Sequence, residues 1–127
     1  MPGIVLITGG SRGIGAATAH LVASRGYAVC VNYRANETAA RTVVRNIMAG
    51  GGRAIAVQAD VAIEADVVRL FETCDRQLGP LTVLVNNAGI LEPQARVEAM
   101  DTARLQRVFS ANVTGAFICA REAVKRM

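Results

Sequence analysis

Short apolar runs alternate with longer amphipathic stretches along the chain. Ile4–Thr8 opens with four successive apolar residues, as a central parallel strand covered on both faces must. Ile14, Ala17, Leu21 and Val22 then keep helical spacing, and Gly26 supplies a stop. Ala28–Asn32 reads as a second strand. Asn36 can cap a helix that turns Ala40, Val43, Val44 and Ile47 to the sheet, and Gly50-Gly51-Gly52 ends it. Ala54–Gln58 is a third strand, followed by the stripe Val67, Leu70, Phe71, Cys74 and Leu78 and the break Gly79-Pro80. Thr82–Asn86 is a fourth strand. About a dozen residues of loop follow, a length that in a compact domain usually serves function. From Asp101 onward, Leu105, Val108, Phe109, Asn112, Ala116, Ala120 and Val124 predict one last long helix whose Asn112 interrupts an apolar, core-facing stripe.

Strands alternating with helices in this rhythm predict an α/β fold, a doubly wound parallel sheet, with its first four strands and their helices in residues 1–127. The length suits one modest domain, and 52% hydrophobic against 19% charged residues suits a packed core. No apolar run reaches membrane-spanning length, and Met1-Pro2-Gly3-Ile4 lacks a basic signal-peptide start. The net charge of +4 is almost all arginine, scattered and without aromatic interleaving, which argues against a nucleic-acid partner. Cys30, Cys74 and Cys119 are an odd number at wide spacing. They read as buried structural thiols in a reducing, cytoplasmic setting, with no metal site. His20, the only histidine, has no ligand-type neighbours and falls on the outer side of the first helix.

The first strand runs directly into Thr8-Gly9-Gly10-Ser11-Arg12-Gly13-Ile14-Gly15. Three glycines have three jobs in such a turn. Gly9 permits the bend off the strand, Gly13 lets a pyrophosphate approach the backbone, and Gly15 lets the new helix pack against the strand. The helix start then offers N–H groups and the positive end of its dipole to phosphates. A strand before and a helix after supply the context that a glycine turn needs to count as dinucleotide-binding, and no GxxxxGK[ST] points instead to a mononucleotide P-loop.

The spacing is GxxxGxG, and TGGSRGIG resembles the cofactor motif of the short-chain dehydrogenase/reductase family. Asp60-Val61 after the third strand, Asn86-Asn87-Ala88-Gly89 at the end of the fourth and Asn112 on the last helix match the family at three further places. The chain looks most like bacterial 3-oxoacyl-carrier-protein reductases or sugar dehydrogenases. The resemblance implies cofactor contacts at Gly9, Ser11, Arg12, Gly13, Ile14 and Gly15, at Tyr33 and Arg34, at Asp60 and Val61, and at Asn87, Ala88 and Gly89. It implies that Asp60 and the Val61 N–H meet the adenine, that Asn112 belongs to the catalytic set, and that hydride passes between nicotinamide and a small carbonyl or alcohol. Asn86 and Asn87 read as a buried amide pair needing partners. A turn-capping Asp60 and a purely structural Asn86 remain open beside these roles.

NAD-binding folds of this type place a carboxylate near the end of the second strand to accept from the ribose 2′-hydroxyl. Here the stretch reads Asn32-Tyr33-Arg34, with no acid before Glu37, while Arg12 in the turn points to the same region by family analogy. Two guanidiniums suit a 2′-phosphate, so the expected cofactor is NADP(H).

The family's Tyr-x-x-x-Lys pair is absent: Val31 and Glu37 lie four residues after Tyr27 and Tyr33. The resemblance therefore implies a partial chain of a protein about twice as long, inactive alone. A non-catalytic nucleotide-binding half-domain is the alternative. Phe109, Val113, Phe117 and Val124 stand off the stripe of Leu105, Asn112 and Ala116, so the last helix should also meet a second copy in a homo-oligomer, with packing against the rest of a longer chain as the alternative.

Overall fold

Ile4, Val5, Leu6 and Ile7 are all buried, and they divide by alternation. Ile4 and Leu6 join one core layer, Val5 and Ile7 the other. This strand, β1 (Ile4–Ile7), lies inside a parallel sheet with β2 (Ala28–Tyr33), β3 (Ala54–Gln58) and β4 (Val83–Val85). The computed structural model describes residues 2–127 and gives the order β3-β2-β1-β4. α1 (Gly13–Ser24) and α2 (Glu37–Ala49) cover the face built on Val5, Ile7, Val29 and Val31. α3 (Glu64–Gln77) and, after a loop, α4 (Thr102–Phe109) and α5 (Gly115–Val124) follow. Residues of α3 and α5 close the opposite face over Leu6, Cys30 and Val57. Because β1 is flanked by β2 on one side and β4 on the other, the strand order reverses beside its carboxyl end. A crevice for ligands opens at that reversal in folds of this type.

The doubly wound parallel sheet, the four strands and their helices appear as the sequence predicts, with strand ends moved by at most one residue. β1 stops at Ile7 and β2 runs on to Tyr33. The cysteines are all buried, and burial pushes the Cys119 thiol up to about 11, which leaves it inert at neutral pH. His20 is exposed. No helix among the described residues is long and apolar enough to cross a membrane.

Two helix faces differ from expectation, for one reason. In α1 the buried residues are Gly15 and Ala19, while Ile14, Leu21 and Ala17 point outward. In the last helix the buried line is Ala111, Gly115, Cys119 and Ala123, while Leu105 and Asn112 are exposed. Both helices approach their neighbours too closely for large side chains. A Cβ on Gly15 would stand 2.4 Å from the Gly9 carbonyl oxygen, and one on Gly115 would stand 2.6 Å from that of Val61. Small residues are selected where backbones nearly touch, and the bulky apolar residues are left outside. The last helix is also not uniform: Ser110–Thr114 form a π turn between α4 and α5, with Asn112 in its middle. Such turns occur mostly singly within α-helices and often at functional sites.

α5 is fastened to α3 by charge as well as by packing. Arg126 Nε donates to Asp75 at 2.7 Å and its guanidinium lies 5.3 Å from the centre of the Phe71 ring. Glu122, only 4% exposed, accepts from Lys125, Arg121 and Arg126. The Lys125 ammonium, helped by the two guanidiniums, holds its carboxyl below the usual carboxylate range.

Candidate functional site

Thr8, just past the end of β1, and Asn32, inside β2, are buried polar residues, and each is fully used. The Thr8 hydroxyl accepts from the N–H groups of Asn87 and Ala88, both at 2.9 Å. Asn87 answers with its side-chain amide, which donates to the carbonyls of Thr8 (3.0 Å) and Gly9 (2.9 Å). On the other side, Asn32 Oδ1 accepts from the Gly9 N–H at 3.1 Å, and its amide donates to the Val57 and Ala59 carbonyls. The glycine turn is thus clamped from β2 and from the end of β4. A buried polar network of this kind rigidifies when every member is satisfied, and no buried side-chain polar atom lacks a partner among the described residues.

Held this way, the turn delivers the chain into α1 through Gly13. Its φ is +56°, a left-handed conformation that other residues adopt at a cost, and a Cβ there would meet nothing within 4 Å. The start of α1 has neither a side-chain cap nor an acidic residue in its first turn. By contrast, Asn36 caps α2, Asp101 caps α4, and α3 carries Glu64 and Asp66 in its first turn. The first N–H groups of α1 therefore have no side-chain acceptor from the chain itself.

They open onto a cleft of about 450 Å³ at the carboxyl end of the sheet. Of the residues expected to touch a cofactor, Gly9, Ser11, Arg12, Gly13, Ile14, Tyr33, Arg34, Asp60, Val61, Asn87, Ala88 and Gly89 all line it. Gly15 does not; it packs beneath the turn. Asn112 is also outside the lining, yet it grips the rim. Its Oδ1 accepts from the Ile90 N–H at 2.7 Å and its amide donates to the Ile90 carbonyl at 2.9 Å. Asn112 is exposed, so its place on a core stripe is not borne out. The π turn carries it to the side of the helix that faces the Gly89-Ile90 loop. Asn86 is likewise exposed rather than buried, and donates to the Ala116 carbonyl at 2.8 Å, bracing β4 against α5.

At the far end of the cleft, Asp60 Oδ1 accepts from the Ala62 N–H at 2.9 Å, so the carboxylate shapes its own turn. Its other oxygen lies 3.7 Å from Arg34 Nε. Arg12 is exposed. Asn32, Ala35, Asn36, Ala59, Ile90 and Ala111 also line the cleft and were not expected there. Asn32 had a legible signal, an amide inside an apolar strand; the others become neighbours only through the fold. No cluster of three metal-type ligands occurs among the described residues.

Residues 3–127 match the family model described as short chain dehydrogenase. The chain is 54% identical over 124 residues to an uncharacterized oxidoreductase, YgfF, of Escherichia coli, covering 98% of this chain and 50% of that protein. It is 44% identical to a 3-oxoacyl-[acyl-carrier-protein] reductase of Synechocystis, with the same coverage. Among solved structures, a short-chain dehydrogenase/reductase of Serratia marcescens superposes with a TM-score of 0.96 at 33% identity, over 100% of this chain and 51% of that one. A blue fluorescent protein from a metagenomic library, in complex with NADPH, superposes with a TM-score of 0.93 at 35% identity, over 99% of this chain and 51% of that one. The chain spans about half the length of the curated relatives it matches.

Proposed function

The chain belongs to the short-chain dehydrogenase family, and from that premise we propose that residues 1–127 form the cofactor-binding unit of an NADP(H)-dependent oxidoreductase acting on a small carbonyl or alcohol. The observation that carries this reading is the uncapped start of α1 opening, at Gly13, into a cleft with two arginines on its wall. When bound, the nicotinamide supplies the hydride donor or acceptor. The chain's own residues bind and orient. The first turn of α1 and the backbone at Gly13 would hold the pyrophosphate, and Arg12 and Arg34 the 2′-phosphate. Asp60 and Val61 would hold the adenine, and Ile14 with Asn87, Ala88 and Gly89 the nicotinamide ribose end. Asn112 would keep the Ile90 rim in place and orient the remaining catalytic groups. The NADPH in a structural relative supports the choice of cofactor, as does the lack of a carboxylate at residues 32–34.

NADPH should bind more tightly than NADH by at least tenfold, since each charge-assisted bond contributes about 1.5–3 kcal/mol. Arg12→Ala combined with Arg34→Ala should erase most of that margin. Fluorescence titration measures both affinities; equal affinities in the unmodified protein would sink the assignment.

Self-association is the partner reading. Leu105, Phe109, Val113, Phe117 and Val124 are 43%, 57%, 42%, 74% and 73% exposed along one helical stretch. Large apolar groups grouped in this way fit a helix-to-helix interface with a second copy. Light scattering should find the protein larger than a monomer at micromolar concentration, and Phe117→Glu should shift it toward the monomer. A monomeric unmodified protein would refute the interface.

A further inference from the structure

Arg34 and Asp60, both on the cleft wall, are joined behind the cleft by three residues that do not line it. Gln58 Nε2 donates to the Arg34 carbonyl at 3.0 Å. The Gln58 side-chain oxygen accepts from Arg69 Nη2 at 3.3 Å, and the same nitrogen lies 3.7 Å from Asp66 Oδ1. Asp66 Oδ2 accepts from the Asp60 N–H at 2.9 Å, and Asp60 Oδ2 lies 3.7 Å from Arg34 Nε. The ring Arg34-Gln58-Arg69-Asp66-Asp60 is closed. It links the end of β2, the end of β3, the turn after β3 and the first turns of α3, and its two cations and two anions balance.

From this geometry we propose that Gln58, Asp66 and Arg69 are positioning residues that set Arg34 for a 2′-phosphate, and so tune the choice between NADPH and NADH. The inference rests on the cofactor reading above. Arg34 is 65% exposed in its side chain. An arginine so exposed loses rotamer freedom when it grips a ligand, and that loss subtracts from affinity unless the side chain is already ordered. The ring fixes its backbone through the Gln58 bond to its carbonyl, and the Asp60 carboxylate 3.7 Å from Nε biases its side chain toward the cleft wall. The closest approach to Asp60 is made by Nε, not by the terminal nitrogens that form the fork suited to phosphate. Asp60 in turn is fixed by Asp66 and Ala62, so Arg69, the link between Gln58 and Asp66, braces both cleft residues from a distance. NADH carries a hydroxyl where NADPH carries the phosphate, and so draws little on the position of a guanidinium.

Arg69→Met keeps the aliphatic stem and removes the link at a side chain that is 47% exposed, so the fold should be retained. Titration of the protein with each cofactor should show NADPH binding weakened by roughly three- to tenfold and NADH changed by less than about twofold. Gln58→Met opens the ring at a second point and should act in the same direction. In an Arg34→Ala background, Arg69→Met should have no further effect. An equal loss for both cofactors, no loss for either, or the same NADPH loss without Arg34 would overturn the proposal. An Arg12→Ala/Arg34→Ala double variant that keeps the full NADPH preference would instead remove the cofactor reading on which the proposal stands.

Discussion

Gly13→Val should abolish binding of the dinucleotide and leave the fold in place. Gly13 lines the cleft, and a Cβ there points into space that no protein atom occupies within 4 Å. Valine would put three carbon atoms where the pyrophosphate is proposed to lie against the backbone. Affinity for NADPH should fall by at least about a hundredfold, since steric overlap with a phosphate costs more than the roughly 2.7 kcal/mol to which that factor corresponds. The left-handed φ of +56° adds a cost to folding of about 1–2 kcal/mol. A domain with roughly 5–15 kcal/mol in hand survives that. Gly13→Ala separates the two effects, because it carries the backbone cost with much less bulk. Calorimetric titration alongside circular dichroism is the measurement. An intact fold with unaltered affinity would show that the phosphates lie elsewhere.

Gly15→Ala should do something different: lose stability and binding together. Gly15 is outside the cleft lining, but its missing side chain is where α1 meets the turn. A methyl group there would stand 2.4 Å from the Gly9 carbonyl oxygen, 2.6 Å from the Asn87 amide nitrogen and 2.9 Å from Gly10 Cα. Two of these are backbone atoms that cannot swing aside. Overpacking of this kind costs about 1–3 kcal/mol, and relief requires the turn to move off its Asn87 clamp. The urea midpoint should drop and NADPH affinity should fall as well. A variant as stable as the original would mean that the turn yields far more easily than its hydrogen bonds imply.

The contrast between these glycines bears on what the sequence could reveal. The strands were legible because a short run such as Ile4–Ile7, apolar at every position and followed at once by a glycine turn, suits a strand covered on both faces. The motif residues were legible because their spacing is tied to a strand, a turn and a helix in fixed order, and nearly all of them reach one cleft. The helix faces were not legible in α1 and in the last helical stretch, α4 to α5. Periodicity weighs bulk, so it favours Ile14, Leu21 and Leu105, whereas close packing selects Gly15, Ala19, Gly115 and Ala123. Asn112 was singled out correctly as an anomaly, but for a burial it does not have, because no local signal announces a π turn. Asn32 is the converse case: its position inside an apolar strand was as conspicuous as that of Asn112, and it anchors the Gly9 N–H. The ring behind Arg34 joins side chains up to 35 positions apart and has no sequence pattern at all.

The clamp on the glycine turn also sets an order of events. The hydroxyl of Thr8 waits for N–H groups 79 and 80 residues further along the chain, and the carbonyls of Thr8 and Gly9 wait for the same asparagine. As the chain emerges from the ribosome, β1, α1 and β2 are made early, and at roughly 5–20 residues per second the partner of the turn arrives several seconds later. Contacts so distant in sequence form late, after the loop-closure entropy has been met. The glycine turn is therefore synthesised well before the residues that lock it in place. A ligand that binds only the finished turn can stabilise the completed sheet by mass action, but it has nothing to hold while the sheet is being assembled.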